Sequence, residues 1–186
     1  MGDMLYTVKT DIGWMAVWAD DRNLLGLGLG HQTEPQAVRA LAKKCRLLSS
    51  DPPWKDRPHA GWQDGLLQRL VDFAAGQRTD FADVPLDLSR LTSFRRRVVE
   101  ACRGIPFGET ATYSQLAVRA GSPQAARAVG TTMAQNWYPI VVPCHRVIGA
   151  DGTLRGFSAP RGILLKQRLL KLERASEGYP APSHNV

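Results

Sequence analysis

The apolar spacing of this chain changes once, near residue 30, and that change confines it to a mixed α and β architecture. Leu5-Tyr6-Thr7-Val8 leads through Asp11-Ile12-Gly13 to Trp14-Met15-Ala16-Val17-Trp18, and Asp20-Asp21-Arg22-Asn23 turns into Leu24-Leu25-Gly26-Leu27-Gly28-Leu29. Short apolar runs between turn residues predict β-hairpins. The alternating glycines predict close packing, since no GxGxxG occurs and no helix follows directly. Beyond residue 30 the period becomes helical. Thr33 caps a helix with Pro35 in its first turn, running to about Leu48. Leu66, Leu67, Leu70, Val71 and Phe73 mark a second helix, closed by Gly76; Ser93 begins a third, with Phe94, Val98, Val99 and Cys102 on one face. A short helix opens at Thr112-Tyr113 and ends at Gly121, another runs from Pro123 to about Gln135, and a last one from Gly162 to Arg174 carries the stripe Ile163, Leu165, Leu169 and Leu172. Ser49 to Gly61, with three prolines, reads as a loop. Residues 77–92 read as a linker between domains, and residues 176–186 as a frayed tail. The expected division is 1–87, an α/β domain with an antiparallel sheet, and 88–175, a mostly helical domain.

Charge divides at the same place. Residues 1–87 carry 10 basic and 12 acidic side chains, whereas residues 88–175 carry 14 and 4; the whole chain has a net charge of +7. Positive charge confined to the second half reads as a footprint for nucleic acid or as a solvated basic surface. Two short helices joined by a turn at Gly121 suggest a helix-turn-helix, a pattern that many helical hairpins share. The second of them offers Arg127 among Ala125, Ala126, Ala128 and Gly130, so it can approach a groove closely. No apolar run spans a bilayer and no leader pattern opens the chain, so the expected setting is the cytosol, or the nucleus in a eukaryote, with no membrane partner.

Three cysteines, Cys45, Cys102 and Cys144, are too few and too scattered for a disulfide framework or a zinc site. Cys102, among helical apolar neighbours, reads as core. Cys144 lies in Pro139-Ile140-Val141-Val142-Pro143-Cys144-His145-Arg146-Val147-Ile148-Gly149, an apolar run that predicts a buried strand or extended segment. Pro143 stiffens the backbone before the sulfur. His145 and Arg146 set positive charge beside it, which would lower the thiol pKa. A buried structural cysteine is the commoner fate of a lone Cys, and neighbours on an extended segment point apart.

The run Pro143-Cys144-His145-Arg146-Val147-Ile148 resembles the active-site signature of the O6-alkylguanine-DNA alkyltransferases, also called methylated-DNA–protein-cysteine methyltransferases. Other landmarks follow in order: Phe107-Gly108-Glu109-Thr110 with Thr112-Tyr113-Ser114-Gln115-Leu116-Ala117, then Ala125-Ala126-Arg127-Ala128-Val129-Gly130, Asn136 and Pro139, Gly156-Phe157-Ser158, and Glu173. The likeness is strong over residues 90–174 and softer before residue 87.

The resemblance implies a ribonuclease-H-like first domain and a winged-helix-like second one. It implies transfer of an alkyl group from O6 of guanine, or O4 of thymine, in double-stranded DNA to Cys144, once per molecule. His145 would take the thiol proton through a water, Glu173 would orient His145, and Asn136 would join the same network. Tyr113 would protonate the leaving base. Val147, Phe157, Ser158 and Pro139 would form the substrate pocket, with the carbonyls of Cys144 and Val147 reading the guanine amino group. Arg127 would fill the stack of a flipped base from the minor groove, with Ala126 and Ala128 as clearance and Thr112, Ser114, Gln115 and Arg95 on the DNA. A monomer without metal, cofactor or obligate protein partner is expected. Phe157 for tyrosine, Ala159-Pro160 for Gly-Gly and the bulky Trp137-Tyr138 depart from common members and would reset the tolerance for larger alkyl groups. An alkyltransferase-like lesion sensor, a transcription factor and a cysteine hydrolase are the other readings.

Overall fold

A computed structural model describes residues 3–44 and 62–176 of the chain. Cys45, the 49–61 loop and the tail beyond 176 lie outside the described residues. Strands β1 (Met4–Thr10), β2 (Gly13–Ala19) and β3 (Leu24–His31) form an antiparallel meander in the order β1-β2-β3. Its first turn depends on Gly13, whose φ is 112° and where a Cβ would meet the His31 carbonyl at 2.7 Å. Asp20 fixes the second turn by accepting from the backbone N–H groups of Arg22 and Asn23.

Alternation along β2 gives the sheet two apolar faces. Ala16 and Trp18 join Leu25 against Ala37 and Leu41 of helix α1 (Glu34–Lys44). Met15 and Val17 face the larger core, which runs without a break through Leu66, Leu70 and Phe73 of α2 (Trp62–Ala74) to Val98, Val99 and Cys102 of α3 (Ser93–Arg103). The expected strand glycines do serve close approach. Gly28 faces Ala37 and Leu41, and a Cβ on Gly30 would lie 2.5 Å from Leu165 of α6 (Ile163–Ser176).

Residues 77–92 are packed rather than a free linker. Leu24 bonds to the Pro85 carbonyl and accepts from Asp87, while Arg103 donates to the carbonyls of Phe81, Ala82 and Val84. Backbone groups of an irregular segment need such partners once water is excluded.

The second half holds α3, β4 (Ala111–Thr112), α4 (Tyr113–Arg119), α5 (Ala126–Ala134), β5 (Val147–Ile148) and α6, with β4 and β5 paired in parallel. Helix α5 starts three residues later than Pro123 suggests, because Ser122 and Ala125 close a separate turn before it. In α6 the stripe is rotated from the expected one. Ile163 is exposed and Leu172 half-buried, while Lys166 and Glu173, seven residues apart, are fully buried beside Leu165 and Leu169. Among the described residues no helix is long and apolar enough to cross a membrane.

Candidate active site

The apolar run before Cys144 is not a strand. Pro139 and Pro143 remove a donor every fourth residue, so the run cannot make a ladder. Instead the Val142 N–H bonds to the Tyr138 carbonyl, Ile140 takes a φ of 75°, and the Cys144 N–H bonds to the Val142 carbonyl. Cys144-His145-Arg146 then form one 3₁₀ turn. At three residues per turn, successive side chains diverge by about 120° rather than pointing to opposite faces. This loop is tied to the first half of the chain. The Leu27 N–H bonds to the Trp137 carbonyl at 2.8 Å, and Lys44 at the end of α1 donates to the Asn136 carbonyl.

Asn136 is the junction at the sulfur. Its amide nitrogen donates to Cys144 Sγ at 3.1 Å and to the Val142 carbonyl at 2.8 Å, and its amide oxygen accepts from the Tyr138 N–H. His145 Nε2 lies 2.7 Å from Glu173 Oε1, both side chains being buried. The Glu173 carboxylate also accepts from Arg146 and from the Gly108 N–H, and His145 first and then Arg146 hold its pKa at about 2 against the penalty of burial. An ionised carboxylate must accept, so Nε2 carries the imidazole proton and Nδ1 carries the lone pair. That Nδ1 is buried and has no hydrogen-bond partner among the described residues. The edge of Phe73 packs against the His145 ring at 6.0 Å and further restricts it.

The charge around the sulfur differs from the sequence expectation. Burial lowers the His145 pKa, so the ring is neutral at rest. The Arg146 guanidinium turns away to Glu173 and the Ile105 carbonyl. Burial also pushes the Cys144 thiol up, against the Asn136 hydrogen bond and the charges of Lys44 and Lys166. The resting group is therefore a thiol, whose neighbours in sequence do not supply the stabilising charge.

Cys144 is 8% exposed and lines a cavity of about 980 Å³ with Asn136, Pro139, Phe157, Ser158 and Arg95. Ala159 and Pro160 are part of its wall. Tyr113 lines a neighbouring cavity of about 640 Å³ with Ala126, Arg127, Phe157 and Ser158. Phe157 and Ser158 thus line both cavities. Ser158 donates to the Ala134 carbonyl at 2.6 Å, and burial raises the Tyr113 pKa, so its hydroxyl stays protonated. Val147 is wholly buried and lines neither cavity; its carbonyl accepts from Lys166 Nζ at 2.6 Å. The Cys144 carbonyl accepts from the Val147 N–H.

Of the residues expected on DNA, Arg127, Ala128 and Ser114 are exposed and Ala126 is half-buried. Thr112 and Gln115 form a capping box, each side chain accepting the other's backbone N–H. Among the described residues helix α5 has no side-chain cap, so its first-turn N–H groups lack a side-chain acceptor. Two further residues reach the site unforeseen. Lys166 bonds the carbonyls of Val147 and Arg155, and Lys44 bonds that of Asn136. Lys44 is half-buried and Lys166 fully buried, and nothing local in the sequence sets either apart from an ordinary surface lysine.

The chain and its fold have counterparts. The model of the DNA-binding domain of 6-O-methylguanine DNA methyltransferase matches residues 93–175. A methylated-DNA–protein-cysteine methyltransferase from Mycolicibacterium paratuberculosis is 41% identical over 90% of both chains. Among solved structures, Mycobacterium tuberculosis OGT in complex with DNA is 37% identical, with a TM-score of 0.74 over 93% of this chain and 94% of that one. The O6-methylguanine-DNA methyltransferase of Pyrococcus kodakaraensis is 25% identical, with a TM-score of 0.68 over 92% and 98%.

Proposed function

The chain belongs to the methylated-DNA–protein-cysteine methyltransferase family, and we propose that it reverses O6-alkylguanine damage in DNA by taking the alkyl group onto Cys144. The observation that carries this reading is the sulfur itself, at the wall of an open cavity, bonded by Asn136 and followed by a histidine on a buried carboxylate. Because the thiol is protonated at rest, it needs a base, and His145 Nδ1 is a buried lone pair with no other partner among the described residues. A water between Nδ1 and Sγ carries the proton across. Glu173 stabilises the imidazolium that results. The thiolate attacks the alkyl carbon, the S–C bond forms as the C–O6 bond breaks, and the electron pair leaves on the purine. Tyr113 supplies the proton to the leaving base. The thioether is stable, so each molecule acts once.

The alkyl carbon cannot be reached within a stacked duplex, so the base is flipped at a cost of about a few kcal/mol. Arg127 on α5 fills the gap from the minor groove, and the small Ala126 and Ala128 let the helix approach. Ser158 exchanges the Ala134 carbonyl for the purine O6 as the base enters. The Cys144 carbonyl keeps one lone pair for the guanine amino group. The basic balance of residues 88–175 supplies affinity with little sequence preference. A soluble monomer working wherever the DNA lies, without a cofactor, completes the reading, with O4-alkylthymine as a second substrate.

The test is the intact mass of the protein after mixing with a duplex bearing O6-methylguanine. A gain of one methyl, mapped to Cys144 and lost in Cys144→Ala, is expected. Lesion binding without mass gain would make the protein a sensor instead.

A further inference from the structure

The cavity at Cys144 is larger than a methylated purine needs, and its far wall comes from the first half of the chain. At about 980 Å³ it lies at the upper end of pockets that enclose drug-sized ligands. Beyond the sulfur it is bounded by His31, by Lys43 and Lys44 at the end of α1, and by Arg90 and Arg95. No Asp or Glu lines it among the described residues.

These cations are not equally committed. Lys44 holds the Asn136 carbonyl. Arg90 lies over the rings of Trp18 and Trp137 at 5.6 and 5.5 Å. In the Arg95-Arg96-Arg97 run, Arg96 is tied to the carbonyls of Ser89 and Leu91 and Arg97 to that of Ala120. Lys43 and Arg95 have no ion-pair partner among the described residues and border the cavity with their charge uncompensated.

We propose that this basic end of the cavity is a subsite for the distal part of O6-substituents larger than methyl, and that it favours substituents ending in a carboxylate. The inference rests on Cys144 being the acceptor. The reacting carbon is then pinned at the sulfur and the purine occupies the side of Phe157 and Ser158. In an in-line displacement a longer substituent leaves that carbon to the side of the S–C–O6 line and extends along the cavity, whose basic end Lys43 and Arg95 border. The bond changes are those of methyl transfer; the carboxylate remains a spectator, and its attraction orients the substituent.

Phosphates of the DNA strand share the anionic chemistry of such a substituent, so the test uses free bases, which carry none. O6-benzylguanine, O6-(4-carboxybenzyl)guanine and the uncharged O6-(4-carbamoylbenzyl)guanine are compared as alkyl donors by intact mass against time. A partly screened ion pair is worth up to about 1 kcal/mol, so the carboxylate should react about fivefold faster than the carboxamide. Lys43→Glu should remove or invert that ratio while leaving the benzyl rate within about twofold. Methyl transfer from O6-methylguanine duplex is run alongside with both proteins. If duplex transfer proceeds but carboxylate and carboxamide react alike in both proteins, the subsite is overturned and the acceptor assignment stands. If Lys43→Glu slows every duplex substrate and no free base, the cations read DNA phosphates, and the proposal also fails. Absence of all transfer removes the acceptor assignment itself.

Discussion

The relay beneath Cys144 and the outer face of α4 and α5 are built in opposite ways. In the relay almost every polar atom is committed. Glu173 accepts from His145, Arg146 and Gly108, and Arg146 also reaches the Ile105 carbonyl, all buried except the half-buried Gly108. The exception is His145 Nδ1, which has no partner among the described residues. On α5 the first turn lacks a cap, and Arg127 and Ala128 stand exposed. Proton transfer needs atoms held to fractions of an ångström in a dry setting. A surface that docks on DNA must keep its donors and charges uncommitted until the partner arrives. Damage to the relay should therefore show first in stability, and damage to the helix face only in reactions that involve a duplex.

The largest effect is expected at Glu173. Glu173→Gln leaves the Arg146 charge buried without its counter-ion, a loss of about 3–5 kcal/mol that denaturant unfolding would read. The paired change Glu173→Leu with Arg146→Met removes both charges and should recover most of that stability while transfer stays lost. If transfer returned with the double variant, the carboxylate would have no part in the chemistry. The same cluster sets the response to acid. His145 titrates lower in the folded state than its ordinary value of 6.5, so its contribution is complete above that pH and is lost as pH falls through the folded value. Glu173, moved from 4.5 to about 2, adds a second loss between those values. Stability should thus decline in steps below about pH 6.5, and Glu173→Gln should lack the later step. Cys144 acts in the other direction. Its raised pKa favours the thiol, and that contribution disappears as pH rises through the folded value, so alkylation by free benzylguanine should accelerate with pH while stability falls.

The helix face should behave in reverse. Arg127→Ala removes an exposed side chain with no relay contact, so unfolding should shift by less than about 0.5 kcal/mol. Transfer from a duplex should slow by about tenfold or more, since the flipped state loses its filler, while the reaction with free O6-benzylguanine is unchanged. Equal slowing of both reactions would place Arg127 on the buried side of the comparison.

How far the sequence disclosed this difference depends on whether the deciding partner was near in the chain. The hairpins of the first half were legible because Asp20 and Gly13 act within a few residues. Cys144, His145, Asn136 and Glu173 were legible as a set through the resemblance. The path of residues 139–146 departs from the expected strand because the spacing of Pro139 and Pro143 outweighs apolar content there, whereas Val147 and Ile148 do pair with β4. The charge at the sulfur was misread because Arg146 is its neighbour in sequence but pairs with Glu173, 27 residues away. Lys166 gave no local warning, since a lysine on a helix usually reaches water; only the distant carbonyls of Val147 and Arg155 account for its burial.

The smallest expected effect bears on the boundary between the two regions. The resemblance puts Thr112 and Gln115 on DNA, yet their side chains close the capping box of α4. A cap of this kind is worth about 1 kcal/mol, and serine retains most of it. Thr112→Ala should therefore lower the unfolding midpoint, Thr112→Ser should restore it, and duplex affinity well below that midpoint should stay within about twofold of the parent. Ser114, exposed and unbonded to the cap, should give the opposite pattern in Ser114→Ala, with stability unchanged and any loss confined to duplex affinity and its salt dependence. Thr112 would move from scaffold to interface if its alanine variant melted like the parent and bound duplex more weakly, because a hydroxyl engaged by the Gln115 N–H cannot be removed without cost to the helix it starts.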